Sequence, residues 1–214
     1  MANPKIRSPL DLKRLKIIID VVYAIVIWRL FMILPRPLKM NQQWDSVTAM
    51  LLDQWPAFVV PVLALIIVII YWVQNNELFN YLDHTDVIHT SISLFQVFSL
   101  LLFLYAIGVG LNYENAPDAR TFESVMAVLM GIFSYSSWRY AMNHGLLSND
   151  ISMDKALQIR KRNFSEPATA LITIPFAFIG PWLWELSWLL YPMIRKALNG
   201  KNSTDQQPPT TRQN

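Results

Sequence analysis

Cysteine is absent from the 214-residue chain, and charge is scarce: Asp, Glu, Lys and Arg together make up 15% of it. The first absence excludes disulfide staples, thiolate metal sites, iron–sulfur clusters and cysteine nucleophiles. The second excludes a surface that faces water throughout, because a soluble domain carries about 25% charged residues. Glycine, with 6 residues, is too rare for a collagen-like chain. Histidine occurs only at His84, His89 and His144; no two are four apart, and no H-E-x-x-H pattern is present. Nucleotide-binding, GxSxG and haem-attachment motifs are also missing, so the chain is not expected to be an enzyme or to hold a cofactor or metal. What is abundant is apolar side chain, at 53% of residues.

That apolar content is gathered into runs. The 18 positions from Pro56 to Val73 contain no charge, enough to cross a hydrocarbon core of about 30 Å as a helix. Val87 to Leu111 is a second uncharged run. Ser124 to Met142 is interrupted only by Arg139, and Ile17 to Leu34 only by Asp20 and Arg29. The last region, Ala168 to Ile194, is broken by Gly180-Pro181, which reads as a hairpin turn near the outer surface. An all-α membrane protein with six transmembrane helices follows, over 14–34, 56–75, 87–111, 122–144, 166–179 and 181–197. Residues 1–13 form a cytoplasmic leader to that 14–198 domain, and the polar stretch 199–214 is expected to be a disordered tail.

Positive charge sets the orientation. With both termini cytoplasmic, the outer loops hold only Arg36, Lys39 and Arg120, and the spans hold Arg29 and Arg139. The other 13 of the 18 Lys and Arg residues lie inside, among them the basic linker Lys155 to Asn163. A five-span arrangement would put Arg195 and Lys196 outside. The net charge of +3 is therefore a topology signal and does not call for nucleic acid as a partner. The partner it does call for is the bilayer.

An ionisable residue inside a span is a functional candidate by default, and the first span holds two. At about 100° per residue, Asp20 and Arg29 point to opposite sides of one helix and cannot pair with each other. Ile25, Arg29 and Met32 share a stripe, with Ile18 one heptad before Ile25. That stripe faces away from Asp20, as on a helix with one side toward its own bundle and the other toward a symmetry axis. Asp20 is too short to reach the headgroups and needs a polar partner. Arg139, His89, Gln74, Asn75 and Asn76, beside Trp72, lie at a comparable depth and are expected to form one polar cluster with it.

Around these residues the chain resembles the transmembrane protein 175 potassium channels of bacteria and endolysosomes. Arg14 and Asp20 keep the spacing of that family's first-helix hallmark, Tyr71-Trp72-Val73 matches the close of its second helix, and Trp138-Arg139-Tyr140 that of its fourth. The hallmark's Phe-Ser is Ile18-Ile19 here, the following Gly is Val21, and a His pair is replaced by Asn75-Asn76. The resemblance implies a homotetrameric, potassium-permeable channel whose first helices line the pore. A hydrophobic constriction at Ile25, followed outward by Arg29 and Met32, would replace a carbonyl filter.

Arg29 sits awkwardly in that picture. Rings of Arg favour anions, and an Arg at mid-span costs about 2.5–3.5 kcal/mol to insert. Either it snorkels to the outer headgroups and leaves potassium conduction intact, or it blocks cations, or the chain passes anions or conducts nothing. A secondary transporter would call for internal repeats and helices broken at mid-membrane, which are not evident. A non-conducting scaffold is the remaining alternative. The tryptophans Trp182, Trp184 and Trp188 read as an interfacial belt.

Overall fold

The computed structural model describes residues 6–7, 9–34, 44–113 and 116–199. Within them lie seven helices: α1 (Pro9–Ile33), α2 (Val47–Phe79), α3 (Val87–Asn112), α4 (Pro117–Asn143), α5 (Met153–Ile179), α6 (Pro181–Ser187) and α7 (Leu190–Asn199). Two short strands, β1 (Ile6–Arg7) and β2 (Thr85–Asp86), pair antiparallel, with Ile6 opposite Asp86 and Arg7 opposite Thr85. This ladder ties the start of α1 to the α2–α3 turn. The expected tail beyond Asn199, and the outer-loop cations Arg36 and Lys39, lie outside the described residues.

Most helix starts are written in the local sequence. The Ser46 hydroxyl accepts the Ala49 N–H at 3.1 Å ahead of α2, and the Asp86 carboxylate accepts the His89 N–H at 2.7 Å ahead of α3. Ser152 does the same for Lys155 at the head of α5. Pro117 and Pro181 open α4 and α6, where a missing N–H costs nothing. After α4 the chain reverses at Gly145, whose φ of +65° lies in the region that favours glycine.

The six-helix expectation needs correction: the second arm of the closing hairpin is two helices, α6 and α7. The cause is Pro192. It has no N–H for the Trp188 carbonyl, which instead accepts the Tyr191 N–H at 3.2 Å, while Leu189 N–H bonds back to Leu186 at 3.0 Å. These bonds to the third residue back tighten and end α6. The basic segment Lys155 to Asn163 is likewise not a linker. It forms the first half of α5, capped by Ser152, and the helix runs on through Pro167 into the apolar half. The two prolines inside α5, Pro167 and Pro175, are tolerated among hydroxyls that bond back to the helix, with Ser165 donating to the Arg162 carbonyl at 2.6 Å and Thr169 to that of Ser165 at 2.7 Å.

The core runs between α1, α2, α3 and α4, around Tyr23, Val26, Val68, Leu100, Phe103, Ile107 and Met130. α4 packs along α3 and α5, and α1 along α2 and α3. By length and composition, α2 over Ala57–Phe79 and α3 are apolar enough to cross a membrane. α1 has similar length but carries Lys16, Asp20 and Arg29.

Candidate functional site

α1 has two apolar faces with different surroundings. Leu12, Leu15, Ile19, Tyr23, Val26 and Leu30 recur every three or four residues and are buried against α2 and α3. Around the helix from them, Ile18, Ile25 and Trp28 are 52%, 55% and 63% exposed, and Arg29 and Met32 lie exposed beside them. Ile18, Ile25, Arg29 and Met32 thus share the outward face. Contiguous exposed apolar surface of this kind marks a contact with lipid or with another chain.

Asp20 sits at the seam between α1 and α2. Its Oδ1 accepts the Trp72 indole N–H at 2.9 Å. One turn earlier, the Lys16 ammonium donates to Asn80 Oδ1 at 2.9 Å. Together these bonds fix the rotation of α1 on α2, and with it the direction in which Ile25 and Arg29 point.

The remaining polar residues are not gathered into one cluster with Asp20. Asn75 is buried and accepts from Gln96 Nε2 at 3.3 Å, joining α2 to α3. Gln74 donates to the Tyr191 hydroxyl at 2.6 Å and joins α2 to α7. Asn76 is half-buried. His89 is buried between α3 and α4, with Nδ1 2.9 Å from Thr85 Oγ1 and Nε2 3.0 Å from Ser137 Oγ. Arg14 and Arg139 are exposed and lie outside these networks. Arg120, expected in an outer loop, is buried in the first turn of α4 and donates to the Ala177 carbonyl at 3.2 and 2.7 Å.

Several functional-looking residues carried no local sequence signal. Arg162 grips Glu77 through both carboxylate oxygens, at 3.1 and 2.6 Å, across 85 residues of chain. The Tyr140 hydroxyl donates to the second oxygen of Asp86 at 2.7 Å. Glu123, Glu166 and Glu185 line a cavity between α2 and the closing helices. Glu123 and Glu166 are the most deeply buried of the three, yet each sits among polar neighbours, Thr121 and Ser124 for one and Asn163 and Ser165 for the other, so nothing local sets them apart.

A largely helical unit with an uncharged α3, a largely apolar α2 and apolar outward faces has the make-up of an integral membrane protein. Residues 14–104 match the family described as the endosomal/lysosomal potassium channel TMEM175. That match spans α1, α2 and most of α3, so the chain is similar to the TMEM175 family over its first three helices. Among solved structures, it resembles a lysosomal potassium-selective channel TMEM175 homolog from Chamaesiphon minutus, with a TM-score of 0.72 and 17% identity over 88% of this chain and 98% of that one. It also resembles a variant of the potassium channel MtTMEM175 solved with a nanobody–MBP fusion, with a TM-score of 0.59 and 16% identity over 94% and 97% of the two chains. At such identities the likeness is one of fold. No curated protein matches the sequence.

Proposed function

We propose that this chain is a potassium-permeable ion channel that works as a homotetramer, with four α1 helices around a central pore and no cofactor beyond the permeant ion. The observation that carries the reading is the outward face of α1. It is apolar and exposed, and it lies within the 14–104 segment that matches the potassium-channel family. Four copies of that face, turned to a common axis, bury it and stack rings of Ile18, Ile25, Arg29 and Met32. The Ile25 ring is the narrowest layer and acts as a hydrophobic constriction that controls passage by dewetting. Both termini lie on the cytoplasmic side of a bacterial inner membrane, where the positive charges concentrate.

A second reading is favoured by one residue. Arg29 shares the exposed face with Ile25, so the same symmetry makes a ring of four guanidinium groups. Such a ring repels cations and favours anions or closure. Flux assays on proteoliposomes separate the two readings. Potassium efflux that valinomycin-free vesicles show only with protein present supports the channel, and chloride-selective flux supports the alternative. Ile25→Ala widens the constriction and is expected to raise the flux of whichever ion passes; an unchanged flux removes Ile25 from the pore.

A further inference from the structure

We propose that the cavity between α2 and the α5–α7 end of the chain binds a membrane-soluble amine, its ammonium head paired with buried carboxylates and its apolar tail lying toward the bilayer. This site is separate from the outward face of α1 and does not depend on which ion the channel passes.

The cavity measures about 360 Å³, within the size range of small-molecule sites. Its chemistry is one-sided. Three carboxylates, Glu123, Glu166 and Glu185, stand among its walls, and no Lys or Arg is among the described residues that line it. Glu166 is 4% exposed, and its Oε2 has no hydrogen-bond partner. Burying a carboxylate without a donor is unfavourable, so such a group keeps its proton until a bound cation or donor completes the site. The cations behind the walls have other engagements. Arg162 is held by Glu77 through its two terminal nitrogens, with its Nε left without a partner, Arg120 is held by the Ala177 carbonyl, and Arg195 bonds to Tyr191. Arg162 and Arg195 still act on Glu166 at a distance, as Arg120 does on Glu185, but neither supplies the missing donor.

The rest of the wall selects among cations. It is hydrocarbon and aromatic, with Trp184 and Trp188 edge to face at 6.1 Å. A bare alkali ion would exchange its water for hydrocarbon on most sides. An alkylammonium leaves its charge on the carboxylates and the indole faces and keeps the rest of its surface apolar. A fatty acid or other anion meets like charge. The rim points to the route of entry. Leu63, Ile66, Leu186 and Leu189 are exposed apolar side chains on α2 and on the α6–α7 segment, so the opening faces the lipid side and not an aqueous vestibule. Two sources present this chemistry: a small amphiphilic amine, and the headgroup of an aminophospholipid.

The test uses the full-length protein in lipid nanodiscs, with n-octylammonium as probe and n-octanol and n-octanoate as matched neutral and anionic controls. Binding is read as saturable change in tryptophan fluorescence, since Trp182, Trp184 and Trp188 lie on the wall. Octylammonium is expected to saturate and to bind at least about tenfold more tightly than octanol, with octanoate showing no saturation. Glu166→Gln removes the charge and is expected to weaken octylammonium by about tenfold or more while leaving octanol unchanged. Leu63→Trp, which fills the cavity and spares the carboxylates, is expected to abolish binding, and it serves where the first variant does not fold. Native mass spectrometry distinguishes the sources: wild-type protein that retains phosphatidylethanolamine over phosphatidylglycerol, and loses it in Glu166→Gln, identifies the lipid, whereas no retained lipid with octylammonium binding intact identifies the free amine. Absence of saturable binding, equal affinity for octanol, or unchanged affinity in both variants overturns the proposal.

Discussion

The indole N–H of Trp72 and the carboxylate of Asp20 meet at 2.9 Å on the seam of α1 and α2. A hydrogen bond to a charged acceptor contributes about 1.5–3 kcal/mol, more when its loss strands a charge. Trp72→Phe keeps the ring and removes only the donor, so it is expected to lower the melting temperature in detergent, and Asp20→Ala is expected to lower it and to weaken assembly. Size-exclusion profiles and melting curves identical to wild type in both variants would mean that this bond does not set the position of α1. Asp20 was legible from sequence because an acid inside an apolar run stands out on its own. Its partner was not fixed that way: Trp72, His89 and Arg139 lay at similar depth, and depth alone does not tell which side of a helix faces which neighbour. Glu77 and Arg162 were less legible still, since their bidentate contact depends on how α5 lies across α2. Arg29 carries the corresponding prediction about selectivity. If it faces the axis, Arg29→Leu removes four positive charges from the pore and shifts permeation toward cations; a reversal potential that does not move places it off the axis.

At the scale of elements, α4 and α5 approach closely at Gly131. A Cβ added at Gly131 would lie 2.7 Å from Pro167 Cδ and 2.8 Å from its backbone nitrogen, so neither partner can yield by rotating a side chain. Gly131→Ala is therefore expected to cost about 1–3 kcal/mol, as overpacking of a filled interface does. Chemical or thermal unfolding checks this, and a variant as stable as wild type would show that the two helices are free to separate. Uncharged apolar runs made α2 and α3 legible in the sequence, a run interrupted only by Arg139 did so for α4, and the Gly180-Pro181 break between α5 and α6 was legible too. The division of the last arm was not, because the residues at the break, Trp188 and Leu189, carry no turn signal and the cause lies downstream at Pro192. β1 and β2 were also illegible. Two residues per strand leave no alternating pattern, and their pairing comes from the meeting of two turns. The first half of α5 resembles a linker in sequence because basic residues suit a loop at a membrane surface, yet they serve equally well as the wet end of a long helix.

For the whole molecule, the feature that one chain leaves unexplained is the second apolar face of α1. Val21, Ile25 and Trp28 are more than half exposed on a helix whose other side is fully packed. A single chain in a bilayer could offer that face to lipid, with Arg29 reaching for the headgroups, whereas a ring of symmetry-related helices would bury it. Sequence periodicity marked the stripe, and the structure puts its residues on one outward face; what neither one chain nor its sequence carries is the number of copies that close around it. Cross-linking of cysteines introduced at position 25, in a chain that has no native cysteine to interfere, is expected to give products up to four chains. A ladder that ends at two would replace the tetramer with a dimer. The most direct test of the central claim is the reversal potential of the reconstituted protein under opposed potassium and chloride gradients. A channel of the proposed kind reverses near the potassium equilibrium potential; reversal near the chloride potential, or current no greater than that of protein-free membranes, would contradict it.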